Sequence, residues 1–145
     1  MKYLFLVLLA VGAADRLRAS LDEARAEPNL EKRSALALNN AVAALKDLRA
    51  AYDASDLTTC AAKAREIQES VAMAYDSLEK TGKNPRRSPR WFKHAEIETS
   101  ELLRSINTLQ QDMRYEDRSI LDETKEVVER VHDKLLTGLI EGKRK

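Results

Sequence analysis

The sequence is poor in the residues on which most catalytic and cofactor chemistry rests. Its 145 residues include four glycines, three prolines, two histidines and one cysteine. A single cysteine, Cys60, excludes any disulfide within the chain. The glycines never form a Gly-x-Ser-x-Gly elbow, a phosphate-cradling loop or a dinucleotide fingerprint, so those three routes to catalysis are closed. A Ser-His-Asp or Cys-His centre needs an imidazole beside a nucleophile, and two histidines give little scope for one. No Cys-x-x-Cys-His haem attachment is present. The expectation is a protein that is not an enzyme and carries no cofactor.

Aromatic residues make up only 5% of the chain, and no stretch alternates apolar with polar residues at the period of a strand. Sheet is therefore not expected. Long apolar runs are also missing, with one exception at the start. Residues 3–14 are apolar, follow Lys2, and end in the small residues Val11, Gly12, Ala13 and Ala14. At about 1.5 Å per residue, such a run falls well short of the roughly 30 Å core of a bilayer. A basic start, a short apolar run and small residues are the pattern of a cleaved signal peptide over 1–14. The expected location is therefore outside the cytoplasm, periplasmic or secreted, with no transmembrane span after processing. The alternative is a buried N-terminal helix, because Leu17, Leu21 and Ala24 continue the apolar stripe.

What the sequence does have is charge and helical periodicity. Charged residues reach 34%, and 25 basic side chains nearly balance 24 acidic ones. Most carboxylates stand three or four residues from a Lys or Arg, the spacing of solvated pairs on helix surfaces. Apolar residues step by three and four along Leu38, Ala41, Leu45, Leu48 and Tyr52, and again along Cys60, Ala64, Ile67, Val71, Ala74 and Leu78. The same spacing recurs from Phe92 through Ala95, Thr99, Leu102, Ile106 and Leu109 to Met113, and from Ile120 through Thr124, Val127 and Val131 to Leu135. The fold class is therefore all-α. Cys60 lies on one of these stripes, where a free cysteine acts as a small buried hydrophobe; the alternative is a disulfide-linked dimer in an oxidising compartment.

Turn residues divide the stripes. Asn29 after Pro28 is an expected N-cap, as is Ser55 or Asp56 after Tyr52. Gly82 is an expected C-cap, and Ser88-Pro89 restarts a helix with Ser88 capping and Pro89 in the first turn. Glu116 or Asp117 is expected to cap the last helix, and Gly142 to end it. A short helix over about 15–27 then precedes two antiparallel hairpins, 29–81 and 89–141, joined by a basic linker over 82–90. Stacked on each other, the hairpins form a four-helix-bundle-like domain over 15–142, with 143–145 as a basic tail. Heptad spacing alone equally permits an elongated coiled-coil homodimer.

The segment KTGKNPRRSPRWFK, residues 80–93, holds six basic side chains and no acidic one. The candidate binding residues are Lys83, Arg86, Arg87, Arg90, Trp91 and Lys93. Basic residues beside aromatics suit anionic surfaces, while Phe92 opens an apolar stripe and points inward. The segment is expected to be a hinge whose charges pair locally or a contact for an anionic partner; Arg90 and Lys93 at a helix start, where the helix dipole opposes them, favour the second. The expected function is a non-enzymatic interaction or structural protein of the envelope or secreted fraction. Its expected partner is a protein or an anionic envelope component; nucleic acid is disfavoured by the chain's near-neutral charge. The alternative is a periplasmic metal- or small-molecule-binding bundle. Glu129 and His132 place two ligands one turn apart on one helical face, with His94 and Glu98 a weaker pair.

Overall fold

A computed structural model of the chain describes residues 21–143. The segment read as a signal peptide lies outside the described residues, as do Arg144 and Lys145 of the tail. Among the described residues every regular element is helical, as the periodicity predicts. Residues 21–26 are helical and are labelled α1. Four long helices follow: α2 (Leu30–Asp53), α3 (Leu57–Lys80), α4 (Arg90–Asp112) and α5 (Asp122–Glu141), with a 3-10 segment, Tyr115–Leu121, leading into α5. No helix among the described residues is long and apolar enough to cross a membrane.

Most of the helix ends obey the local chemistry read from the sequence. The Asn29 side chain accepts the Lys32 N–H at 3.0 Å. The Asp56 carboxylate accepts the Thr59 hydroxyl at 2.6 Å and the Thr59 N–H at 3.1 Å. These two bonds, the hydroxyl first, hold its carboxyl below the usual range. Gly82 and Gly142 both take positive φ, 69° and 75°, where a Cβ is strained. Two caps differ from expectation. Ser88 gives its N–H to Asn84 O at 2.8 Å, closing a turn, and α4 starts one residue later than Pro89 without any side-chain cap. Neither Glu116 nor Asp117 caps α5, because both lie in the 3-10 segment and α5 starts only at Asp122; the Asp117 carboxylate accepts the Tyr52 hydroxyl at 3.0 Å. That hydroxyl in turn accepts the Arg114 N–H at 2.9 Å, which ties the end of α2 to the 3-10 segment.

Pairs of contacts give the direction of each helix. Asn40 bonds to Ser70 at 2.9 Å and Asp47 faces Lys63 at 3.7 Å, so α2 and α3 run oppositely. His132 meets Glu96 at 3.1 Å and Gln110 meets Asp122 at 2.8 Å, so α4 and α5 do too. Between the two pairs the relation reverses. Gln68 bonds to Thr124 at 2.9 Å and Lys134 lies over the Tyr75 ring, so α3 runs parallel to α5. Contacts of α3 with α4 are few, and these two helices lie on a diagonal of the packed arrangement.

One core joins the helices, with Leu38, Leu48, Ile67, Leu78, Ile106 and Leu135 among its fully buried side chains. Each contributes about 1.5–3 kcal/mol on burial, offsetting the entropy of ordering the chain. The α2–α3 seam is lined by small residues, including Ala37, Ala41, Ala44, Ala64 and Ala74, all buried. Leu21 and Ala24 of α1 are buried as well, and Arg25 reaches Glu69 of α3 at 3.6 Å. Asn40 is buried in the α2–α3 seam, donating to Ser70 and Glu66, while its Oδ1 has no partner. Sliding one helix along the other breaks both donor bonds at a cost of about 1–3 kcal/mol per stranded group, which fixes the register.

Cys60 is fully buried and its Sγ lies 3.5 Å from Leu48 O. Burial, followed by the nearby Asp56 and Asp117 charges, pushes the thiol pKa up. In the native protein Cys60 is therefore expected to resist a thiol-specific reagent that labels it fully in denaturant; rapid native labelling is the contrary result. Ile67→Ala is expected to cost about 2–5 kcal/mol in urea unfolding, as for other buried aliphatic truncations.

Candidate functional site

The basic linker occupies a position that follows from the helix directions. The end of α3 and the start of α4 lie at the same end of the molecule but on a diagonal, so residues 81–89 must cross that end. In crossing they are held to α3, α2 and α5 before leading into α4. Thr81 Oγ1 donates to Leu78 O at 2.6 Å and accepts the Lys83 N–H at 3.2 Å, holding the linker to α3. The Lys83 ammonium pairs with Glu31 in the first turn of α2. Pro85 is buried against α5, where a Cβ on Gly138 would stand 3.2 Å from its Cγ. Asn84 Oδ1 accepts the Arg86 N–H at 3.0 Å and the Lys143 N–H at 3.3 Å. Lys143 Nζ donates to Gly82 O at 3.3 Å, so the start of the basic tail meets the linker.

The candidate side chains divide into two groups. Phe92 is buried and points inward. Trp91 is half-buried, with the Arg90 guanidinium 5.1 Å from its ring centroid and His94 edge-on at 6.1 Å. Such a cation–π contact at a partly exposed site contributes about 0.5–1 kcal/mol. Lys83 is committed to Glu31. Arg86, Arg87, Arg90 and Lys93 are exposed, and among the described residues no carboxylate lies within ion-pair distance of them. Four cations are thus held at one end of the protein on a docked backbone, facing solvent.

The opposite end has the opposite sign. Asp53, Asp56, Asp112, Glu116, Asp117, Asp122 and Glu123 cluster around its two turns, against Arg114 and Arg118. Arg49 pairs with Asp112 at this end. The near-neutral total charge therefore conceals a strongly polar axis.

The metal-ligand candidates do not converge. Glu129 lies 4.0 Å from Lys125 on its own helix, whereas His132 Nε2 lies 3.1 Å from Glu96 Oε1 on α4. His94 lies against Trp91. Among the described residues no group of three or more His, Cys, Asp or Glu side chains is placed to hold a metal ion. Beside the linker a groove of about 590 Å³ runs between α3 and α5, lined by Tyr75 of α3 and Lys134 of α5. Burial and the neighbouring Glu79 push the Tyr75 phenol pKa up. The rim mixes Arg130, Lys134 and Lys143 with Glu79, Asp133 and Glu141, and so selects no charge.

Sequence reasoning located the cations but missed the residues that hold them: Asn84, Pro85, Gly138 and Gly142. One signal was present. A glycine inside a helix costs about 1 kcal/mol relative to Ala, so Gly138 marks a position where another part of the chain comes close.

In comparisons with known proteins, the chain matches no family model, no curated protein and no solved structure.

Gly142 has φ 75° and ψ −171°, and a Cβ there would stand 3.0 Å from Asn84 Oδ1 and 3.4 Å from Arg86 Cβ. Gly142→Ala is accordingly expected to cost about 1–3 kcal/mol locally and to loosen the linker. Limited trypsin digestion should then cut faster after Arg86 or Arg87, with helicity unchanged by circular dichroism. An unaltered cleavage rate would show that the linker is held without this contact.

Proposed function

We propose that the chain is an exported, non-enzymatic interaction protein. In this reading a signal peptide over 1–14 is followed by a four-helix-bundle-like domain of two antiparallel hairpins. The domain presents a cationic end to an anionic component of the envelope or to an acidic protein. The single observation that carries the reading is the set Arg86, Arg87, Arg90 and Lys93, exposed and without an ion pair among the described residues, on a linker held to α2, α3 and α5 and on the first turn of α4 that follows it.

Two physical points support it. Charges on a docked backbone lose less conformational freedom on binding than charges on a free loop, so more of their interaction energy appears as affinity. In addition, Arg90 and Lys93 stand at the N-terminus of α4, where the helix dipole disfavours them by about 0.3–1 kcal/mol each. Their placement is unfavourable within the chain and becomes favourable against an external anion.

Replacing Arg86, Arg87 and Arg90 together by Gln is expected to leave helicity intact and to weaken binding to a polyanion such as polyphosphate roughly tenfold or more at low salt. The steep salt dependence of the unsubstituted protein should flatten in the variant. If the two forms bind with the same affinity and the same salt dependence, the linker is only a connection between hairpins.

A further inference from the structure

The cationic end is bordered by apolar side chains that a purely electrostatic surface does not need. On α5, Leu136 and Ile140 remain 40% and 65% exposed. The contact between His132 and Glu96 sets the register of α5 against α4. One turn beyond His132, Leu136 is level with Phe92, next to Lys93, and one turn further Ile140 is level with Ser88 in the linker. Leu136 and Ile140 therefore descend the outer flank of the α4–α5 seam toward the basic linker. Ile97, one turn after Lys93 on α4, is also 44% exposed. Exposed aliphatic side chains and unpaired cations thus meet at one corner of the molecule.

We propose that Arg86, Arg87, Arg90 and Lys93, together with Leu136 and Ile140, form a face that docks on an anionic phospholipid bilayer. This rests on the reading of the basic end as an anion-binding surface and names its partner. A soluble polyanion satisfies the cations but leaves the two aliphatic side chains in water. A bilayer surface supplies a layer of phosphate charge directly above hydrocarbon, which suits cations flanked by exposed aliphatics.

The rest of the charge distribution agrees with this orientation. Helices of 24 residues place the acidic end about 35 Å from the basic one, several times the Debye length of about 8 Å at physiological salt. With the basic end on the membrane, the acidic end is screened from the lipid charge and faces away from it.

Vesicle co-sedimentation of the full chain tests the proposal, with phosphatidylglycerol-containing vesicles beside neutral phosphatidylcholine vesicles. The neutral vesicles measure whatever the apolar residues 3–14 contribute. Binding is expected to be stronger to the anionic vesicles by about two orders of magnitude at low salt, and to lose that excess in the Arg86→Gln, Arg87→Gln, Arg90→Gln triple variant. Leu136→Ser with Ile140→Ser is expected to weaken vesicle binding about tenfold while leaving polyphosphate binding unchanged. Leu136 is 40% exposed and Ile140 65%, so the substitutions touch no fully buried position, and an unchanged circular dichroism melt confirms the fold. Equal binding to neutral and anionic vesicles, or vesicle binding indifferent to Leu136 and Ile140, overturns the proposal. Arginine-dependent polyphosphate binding without vesicle binding overturns it too, yet leaves the anion-binding reading standing. Loss of both defeats the two together.

Discussion

The structure depends on how two apolar hairpin faces cover each other. Each hairpin pairs its own helices antiparallel through a short turn, and the burial of both faces then places α3 beside α5 and α2 beside α4, running in parallel. Everything distinctive about the basic end follows from that choice. Because α3 and α4 lie on a diagonal, the connection between them cannot turn sharply at an edge. It has to pass over the end of the core, and there it finds a proline seat on Gly138, a carboxylate on Glu31 and the chain's own tail at Lys143.

Local energetics at that end are uneven, and the unevenness is informative. Lys80 and Lys143 stand at the C-terminal ends of α3 and α5, where the helix dipoles favour them. Arg90 and Lys93 stand at the opposite pole of α4 and gain nothing from its dipole; only the Trp91 ring under Arg90 offsets part of that cost. Sequences usually agree with themselves at every level, and departures gather where a side chain faces something outside the fold. The far end shows the reverse. Four of its carboxylates are engaged within the protein: Asp56 with Thr59, Asp117 with Tyr52, Asp112 with Arg49 and Asp122 with Gln110.

A good part of this was legible in the residues. The stripes through Leu48, Ile67 and Ile106 identified the core positions, because the helical repeat is a property of neighbouring residues alone. Asn29, Asp56 and Gly82 were recognisable as caps for the same local reason. The errors were also local in origin. Asp117 looked like a cap, but a 3-10 segment carries the start of α5 on to Asp122, and Tyr52, far away in sequence, takes the Asp117 carboxylate. Helical spacing set Glu129 and His132 on one face, and what it did not reveal is that the imidazole meets Glu96 across the α4–α5 seam.

Taken alone, the sequence determined that the chain is helical, where most helices begin and end, which faces are apolar, and that six cations stand in a row without an acid between them. Those follow from spacing, capping chemistry and composition, each decided within a few residues. Only the tertiary structure decided which helices became neighbours, and hence that the linker crosses the core end, that Lys83 is neutralised while Arg86, Arg87, Arg90 and Lys93 are not, and that Leu136 and Ile140 lie beside them. The physical reason is that apolar burial is non-directional. A greasy stripe specifies that it must be covered, and only the packed whole specifies by what.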